Sequence, residues 1–329
     1  MRATADPESR RTIGVLTSGG DSPGMNAAVR AVARRAIFKQ CRVIGFNWGF
    51  RGLMEGDVIA LESRTVGGVL DRGGTFLGTS RSKEFATAAG QRRAVATLDR
   101  FGVQGLVVIG GDGSLAGGHA LVEQGVQVVG VPATIDNDVG GTDVSIGFDT
   151  ALNTVLDAIF RIRDTASALE RVFVVEVMGR TSGQLALAAA VAGGADIVVI
   201  PEIPWDHVGA ARDALAGHRN GKMHTIAVVA EGAASGEEVA RLLSAHMPGM
   251  DVKVSVLGHL QRGGRPTGVD RLAASRLGAK AVDLLLDGMT DVMVGMDGPN
   301  LQTVSLTYAA SQKSAINPEL YQLCRVLAL

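Results

Sequence analysis

Ile13-Gly14-Val15-Leu16-Thr17 runs into Ser18-Gly19-Gly20-Asp21-Ser22-Pro23-Gly24-Met25-Asn26, and a helical pattern then continues from Asn26 to Phe38. A short continuous apolar run suits a strand buried on both faces. The glycines let the chain turn tightly, and the amphipathic segment follows at once. Strand, glycine loop and helix in that order form the unit from which α/β proteins with parallel sheets are built. The alternation continues along the chain. Val- and Ile-rich runs predict strands at Val43–Phe46, Leu106–Ile109, Val126–Val131, Val172–Val177, Ile197–Ile200 and Thr225–Ala230, and helical patterns fall at Gln91–Phe101, Asp149–Asp164 and Asp270–Leu286. The expected class is α/β with largely parallel sheets.

At 329 residues the chain is long enough for about two ordinary domains. No low-complexity linker divides it, and the loop region from Gly140 to Asp149 is the best candidate boundary. Glycine makes up 44 of the 329 residues without a collagen-like period, which points to many tight turns and close backbone approaches. A formal net charge of −1 argues against a general nucleic-acid binder or a membrane-surface protein, both of which need a basic face. Cys41 and Cys324 fit neither a zinc nor a redox pattern, so a reducing, cytoplasmic setting is expected. Met1 to Arg11 is polar, lacks the apolar core of a signal peptide and reads as a frayed tail. The longest apolar stretch, Leu185 to Ile200, is broken by Gly193, Gly194 and Asp196 and predicts no membrane span.

Two further stretches carry chemistry. Gly110-Gly111-Asp112-Gly113-Ser114 follows the run Leu106–Ile109, and Pro132-Ala133-Thr134-Ile135-Asp136-Asn137-Asp138 follows Val126–Val131. In open α/β sheets ligands collect at the carboxyl ends of strands, where all these loops fall. Bare backbone there can approach phosphate oxygens, and Asp112 suggests Mg²⁺ bound to a nucleotide. The first loop could instead be a plain turn, and Asp112 a helix cap. Asp136 and Asp138, one residue apart, would share one side of an extended segment, unless both serve as caps. Asp136 is the expected general base. Arg81, Arg163, Arg171, Arg180 and Arg262 each lie beside a strand end or small-residue loop, where guanidinium groups can grip phosphates; solvated surface roles are the alternative. His259 could donate to a sugar hydroxyl or phosphate, or be structural. Three carboxylates on neighbouring small-residue loops read as a phosphotransferase.

Gly14-to-Asn26, Gly73-Gly74-Thr75-Phe76-Leu77-Gly78-Thr79-Ser80-Arg81, Gly110-to-Ser114, Pro132-to-Asp138, Val174-to-Arg180, Val229-Ala230-Glu231 and Leu257-to-Gly264 together closely resemble the 6-phosphofructokinase family, in order, from about Arg11 to about Gly288. The resemblance implies two Rossmann-like three-layer lobes with mainly parallel sheets: residues 1–147 plus 261–313 for ATP, and 148–260 plus 314–329 for fructose 6-phosphate. It implies that Gly20, Arg81 and Gly111, Asp112, Gly113 and Ser114 hold ATP phosphates, with Asp112 on Mg²⁺. Thr134 and Asp136 would meet the 1-hydroxyl, Asp136 as base with Asp138 in support. Met178, Gly179, Arg180, Glu231, His259 and Arg262 would line the sugar phosphate site, and Arg180 would also neutralise the moving γ-phosphoryl group. Arg171 would reach a neighbouring subunit's site, so a homotetramer with shared sites is implied.

Donor choice divides the family. Its pyrophosphate-using members carry Asp in place of Gly113 and Lys in place of Ala133; Gly113 therefore favours ATP, and Ala133 departs by one methyl from the glycine common in ATP users. Lys253 falls where the family places a phosphate-binding Arg, keeping the charge but losing the two-point geometry. Arg30, Arg34, Arg163, Asp196 and Lys222 fall on the positions of the family's effector pocket, whereas Ser63 and Asn220 replace further cations there. Regulation by ADP or phosphoenolpyruvate is the corresponding expectation. From Thr290 onward the likeness fades.

Overall fold

The computed structural model describes residues 10–328, so the expected tail, Met1 to Arg11, lies outside the described residues except for Arg10 and Arg11. The strands are β1 (Thr12–Thr17), β2 (Arg42–Phe46), β3 (Val58–Ala60), β4 (Val103–Gly110), β5 (Val128–Pro132), β6 (Val172–Val177), β7 (Ile197–Val199), β8 (Thr225–Ala230), β9 (Val252–Val256), β10 (Val292–Asp297) and β11 (Asn300–Ser305). The helices are α1 (Met25–Phe38), α2 (Gly49–Glu55), α3 (Ala88–Arg100), α4 (Asp112–Val122), α5 (Phe148–Ala168), α6 (Gln184–Gly193), α7 (His207–Arg219), α8 (Gly236–His246), α9 (Gly268–Leu286), α10 (Leu306–Ser311) and α11 (Pro318–Leu327). Two compact units share them. The first takes the chain up to Thr134, then Val139–Asp149 and Arg262–Ser314; the second takes Ile135–Asp138, Thr150–Gln261 and the chain from Ala315 onward.

The first unit holds a seven-stranded sheet in the order β11-β10-β5-β4-β1-β2-β3. Its centre is parallel, and both edges close with antiparallel pairs, β2 with β3 and β10 with β11. Successive side chains of a strand face opposite ways, and the central strands use both faces. Ile13, Val15, Val107 and Ile109 pack with α1 and α9, whereas Leu16, Leu106 and Val108 pack with residues of α2, α3, α4 and α10. Helix, sheet and helix therefore make three layers. This two-sided burial explains why β1 and β4 read as unbroken apolar runs.

The second unit holds a four-stranded, wholly parallel sheet in the order β7-β8-β6-β9. Val172, Val174, Ala227 and Val229 pack with Ala211, Ala214, Val239 and Leu243 of α7 and α8. Helix α6 rests on β7 and β8 and is itself touched by α11. β6 and β8 have the expected bounds, and β5 begins two residues later than expected, because Val126 is still tied to the end of α4 through its N–H to the Leu121 carbonyl at 3.1 Å. Among the described residues no helix is long and apolar enough to cross a membrane. Cys41 and Cys324 are both buried and unbridged.

Candidate active site

In the first unit three parallel strand ends lie side by side. β1 leads into Ser18–Asp21, β4 into Gly111 and α4, and β5 into Ala133 and Thr134. The Ser18 N–H donates to the Ile109 carbonyl at 3.0 Å, and the Ala133 N–H donates to the Gly110 carbonyl at 3.0 Å, so the three exits are stitched to one another. Gly19 has φ of +88°, and a Cβ there would lie 3.1 Å from Ser114 Oγ. A side chain would be both strained and crowded, which is why this turn is glycine.

The segment from Gly73 to Arg81 is fastened onto this edge. Thr17 Oγ1 lies 2.8 Å from Thr75 Oγ1 and donates to the Gly78 carbonyl at 2.9 Å, while Thr79 Oγ1 donates to the Gly19 carbonyl at 2.8 Å. Asn26, at the start of α1, accepts from the Phe76 N–H at 2.8 Å and donates to the carbonyls of Arg72 and Gly73. Gly20, Gly111, Asp112, Gly113, Ser114 and the Gly73–Arg81 segment thus converge, with Arg81 exposed. Arg262, expected on the sugar phosphate, belongs to the first unit; its Nη1 donates to the Asp21 carbonyl at 3.0 Å and lies 2.6 Å from where a Gly20 Cβ would be.

Helix α4 opens at Asp112 after an extended Gly111, and Asp112 Oδ1 accepts the N–H of Gly113 at 2.6 Å. Asp112 is thus not the cap: the N-cap position is Gly111, without a side-chain cap, and Asp112 stands half-exposed in the first turn, at a helix N-terminus that favours anions. Its Oδ2 also pairs with Lys313 at 2.7 Å, a residue absent from the expected set. Gly113 has no atom within 4 Å of where its Cβ would stand.

In the second unit β6, β8 and β9 deliver Met178–Arg180, Glu231 and residues 258–261 of a short 3-10 turn to one sheet edge. The buried Gln261 accepts from the Met178 N–H at 3.1 Å and donates to the Gly258 carbonyl at 2.9 Å. The Glu231 N–H donates to the Val177 carbonyl at 2.9 Å, and Gly232 N–H to the Gly179 carbonyl at 3.2 Å. Ser182 Oγ donates to the Asp136 carbonyl at 2.9 Å, which seats Ile135–Asp138 on the same loop. Met178, Gly179, Arg180, Glu231, His259 and Asp136 are thereby gathered. Asp138 is buried, with 7% of its surface exposed.

Arg171 and Lys253 are elsewhere. Both stand at the amino ends of their strands, about 20 Å from Met178 at the strand rise of about 3.3 Å per residue. They share Asp251, whose Oδ2 is 2.7 Å from Arg171 Nε and whose Oδ1 is 2.8 Å from Lys253 Nζ. The hydrogen bond from Lys253, helped by the charges of Lys253 and Arg171, holds the Asp251 carboxyl below the usual carboxylate range. Asp251 was not among the expected residues; the Asp-x-Lys spacing was the available signal.

Of the expected effector residues, Arg30 and Arg34 lie one turn apart on α1, and burial, followed by the nearby charge of Arg34, lowers the pKa of Arg30. In the second unit Lys222 Nζ pairs with Asp196 at 2.5 Å and donates to the Ala328 carbonyl at 2.7 Å, and Arg163 donates to the carbonyls of Gly193 and Gly194.

Two glycine loops and a carboxylate at parallel strand ends in one unit, and a loop cluster with Arg180, Glu231, His259 and Asp136 at strand ends in the other, are the features of an α/β protein with ligand-type loops at its sheet edges. The family model described as phosphofructokinase matches residues 12–285. The ATP-dependent 6-phosphofructokinase of Halalkalibacterium halodurans is 51% identical over 97% of this chain and 100% of its own length, and that of Bacillus subtilis 49% over the same shares. This chain belongs to the phosphofructokinase family. Among solved structures, phosphofructokinase from Saccharomyces cerevisiae matches with a TM-score of 0.86 and 36% identity over 92% of this chain, which spans 45% of that one. A pyrophosphate-dependent phosphofructokinase from Marinobacter aquaeolei shares the fold, with a TM-score of 0.82 at 21% identity over 97% of this chain and 91% of that one.

Proposed function

We propose that the protein transfers the γ-phosphoryl group of ATP to the 1-hydroxyl of fructose 6-phosphate, giving fructose 1,6-bisphosphate and ADP. The observation that carries this reading is the sorting of ligand-type residues onto sheet edges. Glycine loops with Asp112 and Arg81 gather at one edge of the first sheet, and Met178, Arg180, Glu231 and His259 gather at one edge of the second. The run Pro132–Asp138 belongs to both sets, since Thr134 closes a segment of the first unit and Asp136 belongs to the second. Curated relatives of that activity at about 50% identity over 97% of the chain support the same reaction.

In this reading the loops at Gly20 and Gly111–Ser114, with Arg81, orient the donor phosphates, and Arg262 adds a guanidinium above Gly20. Asp136 accepts the proton of the 1-hydroxyl, while Thr134 orients that hydroxyl and Asp138 supports the loop. Arg180 offsets charge on the transferring group. Glu231, His259 and Met178 hold the sugar. Among the described residues no group of three or more His, Cys, Asp or Glu side chains is placed to hold a metal ion. A single half-exposed Asp112 fits Mg²⁺ carried on phosphate oxygens, for which one carboxylate suffices. Held there, Mg²⁺ would neutralise charge on the donor phosphates.

Arg171 and Lys253, paired on Asp251 away from the chain's own loop cluster, support the proposal that they serve the sugar phosphate of a neighbouring subunit in a homotetramer. The Lys253→Arg variant is expected to lower the half-saturating fructose 6-phosphate concentration several-fold, because a guanidinium can bind Asp251 and a phosphate together. An unchanged saturation curve removes that role. The same curves measured with ADP or phosphoenolpyruvate test the effector reading, in which an anion must draw Lys222 from Asp196. A cytoplasmic location is proposed with the reaction, in keeping with the unbridged cysteines.

Phosphorus NMR of the purified protein with fructose 6-phosphate, Mg²⁺ and either ATP or pyrophosphate tests the reading. Bisphosphate is expected with ATP alone. Product with pyrophosphate alone overturns the donor assignment, and no product with either leaves a silent member of the family.

A further inference from the structure

Lys313 lies 201 residues after Asp112 and beyond the matched span 12–285, yet its Nζ is 2.7 Å from Asp112 Oδ2. It is not a loosely tethered surface lysine. Its backbone forms an antiparallel bridge with Val139, and the Gly140 N–H donates to the carbonyl of Gln312 at 3.0 Å. A Cβ on Gly140 would lie 2.7 Å from that carbonyl oxygen, so the close approach uses the absence of a side chain. Main-chain pairing directly after Asp138 thus delivers an ammonium group to the proposed metal-binding carboxylate.

Without metal, a bare Asp112 would repel the phosphates that the neighbouring glycine loops are shaped to admit. An ion pair in which both side chains are 44–46% exposed neutralises it, and such a pair is weak enough to exchange. We propose that Lys313 and a nucleotide-borne divalent cation are alternative partners of Asp112: the lysine neutralises the carboxylate until the cation arrives with the triphosphate, and then yields it. This rests on the reading of the first unit as the donor half. Lys313 is a positioning residue in this scheme, acting through Asp112.

Calorimetric titration with ATP, in EDTA and in Mg²⁺, separates the possibilities. The wild-type chain is expected to bind metal-free ATP measurably. Lys313→Met should weaken metal-free ATP binding about tenfold, the change that about 1.4 kcal/mol produces, while binding in Mg²⁺ stays within about twofold because the cation replaces the missing charge. Asp112→Asn should bind metal-free ATP at least as tightly as wild type and gain little from Mg²⁺, and it serves if Lys313→Met fails to fold by circular dichroism. Equal loss in both media for Lys313→Met, no loss in EDTA, or weaker metal-free binding by Asp112→Asn overturns the proposal. A wild-type chain that binds ATP only with metal also overturns it. Failure of the wild type to bind ATP in either medium overturns the donor reading itself.

Discussion

Asp136→Ser is expected to lower turnover on the order of 10²-fold or more, the scale on which a positioned general base contributes, while fructose 6-phosphate affinity measured by direct titration stays within a few-fold. The separation follows from how the loop is held. Its tie to Ser182 uses the Asp136 main-chain carbonyl, so replacing the side chain leaves the 2.9 Å hydrogen bond in place. Asn137, the next residue, turns the chain at φ of +48°, a conformation asparagine tolerates better than most, and it is untouched. The proposed sugar contacts come from Met178, Arg180, Glu231 and His259 on other loops. Loss of turnover without loss of binding is the signature of an interaction made only in the transition state. Turnover within a few-fold of wild type removes Asp136 as base; parallel loss of binding would mean that the substitution disturbs the loop instead.

The parts of the fold that announced themselves are those buried on both faces. β6 and β8 read as continuous Val-rich runs because helices cover their sheet, and their ends fall where the runs end. β9 is faint in the sequence for the opposite reason: Val252, Val254 and Val256 alternate with Lys253 and Ser255 on an edge strand that is partly exposed, and an alternating stretch of five residues is a weaker signal. β3 has three residues, too few for any period. The hairpin β10–β11 gains its stability from β5, which no local pattern reveals.

The loops were legible for a related reason. A glycine loop after a buried strand carries its own local cause, so Gly19, Gly111 and Asp112 could be picked out one strand at a time. Long-range charge pairing has no such local mark. Asp251 beneath Arg171 and Lys253, and Lys313 on Asp112, are set by strand register and by a bridge between distant segments. Arg262 is the instructive case. The motif Leu257–Gly264 marked it as an anion ligand, but only the structure shows its guanidinium over the Gly20 turn of the first unit.

Gly113→Asp is expected to raise the half-saturating ATP concentration on the order of 10²-fold while leaving the melting temperature unchanged or slightly higher. Nothing in the fold requires glycine there. A Cβ would meet no atom within 4 Å, and the residue stands in the first turn of α4. Replacing glycine in a helix recovers up to about 1 kcal/mol of backbone preference, and a carboxylate near a helix N-terminus adds a further favourable term. A glycine that the fold does not require, beside Asp112, fits the proposed passage of the donor phosphates over this turn. A carboxylate at this point would face the phosphates of ATP, and like-charge juxtaposition costs several kcal/mol, which at about 1.4 kcal/mol per tenfold reaches two orders of magnitude. Pyrophosphate turnover is not expected in return, because position 133 still carries alanine, where the pyrophosphate-using members have lysine. Retained ATP affinity in a stably folded Gly113→Asp chain would mean that the nucleotide does not cross this turn, and donor selection would then have to reside in another loop of the first unit.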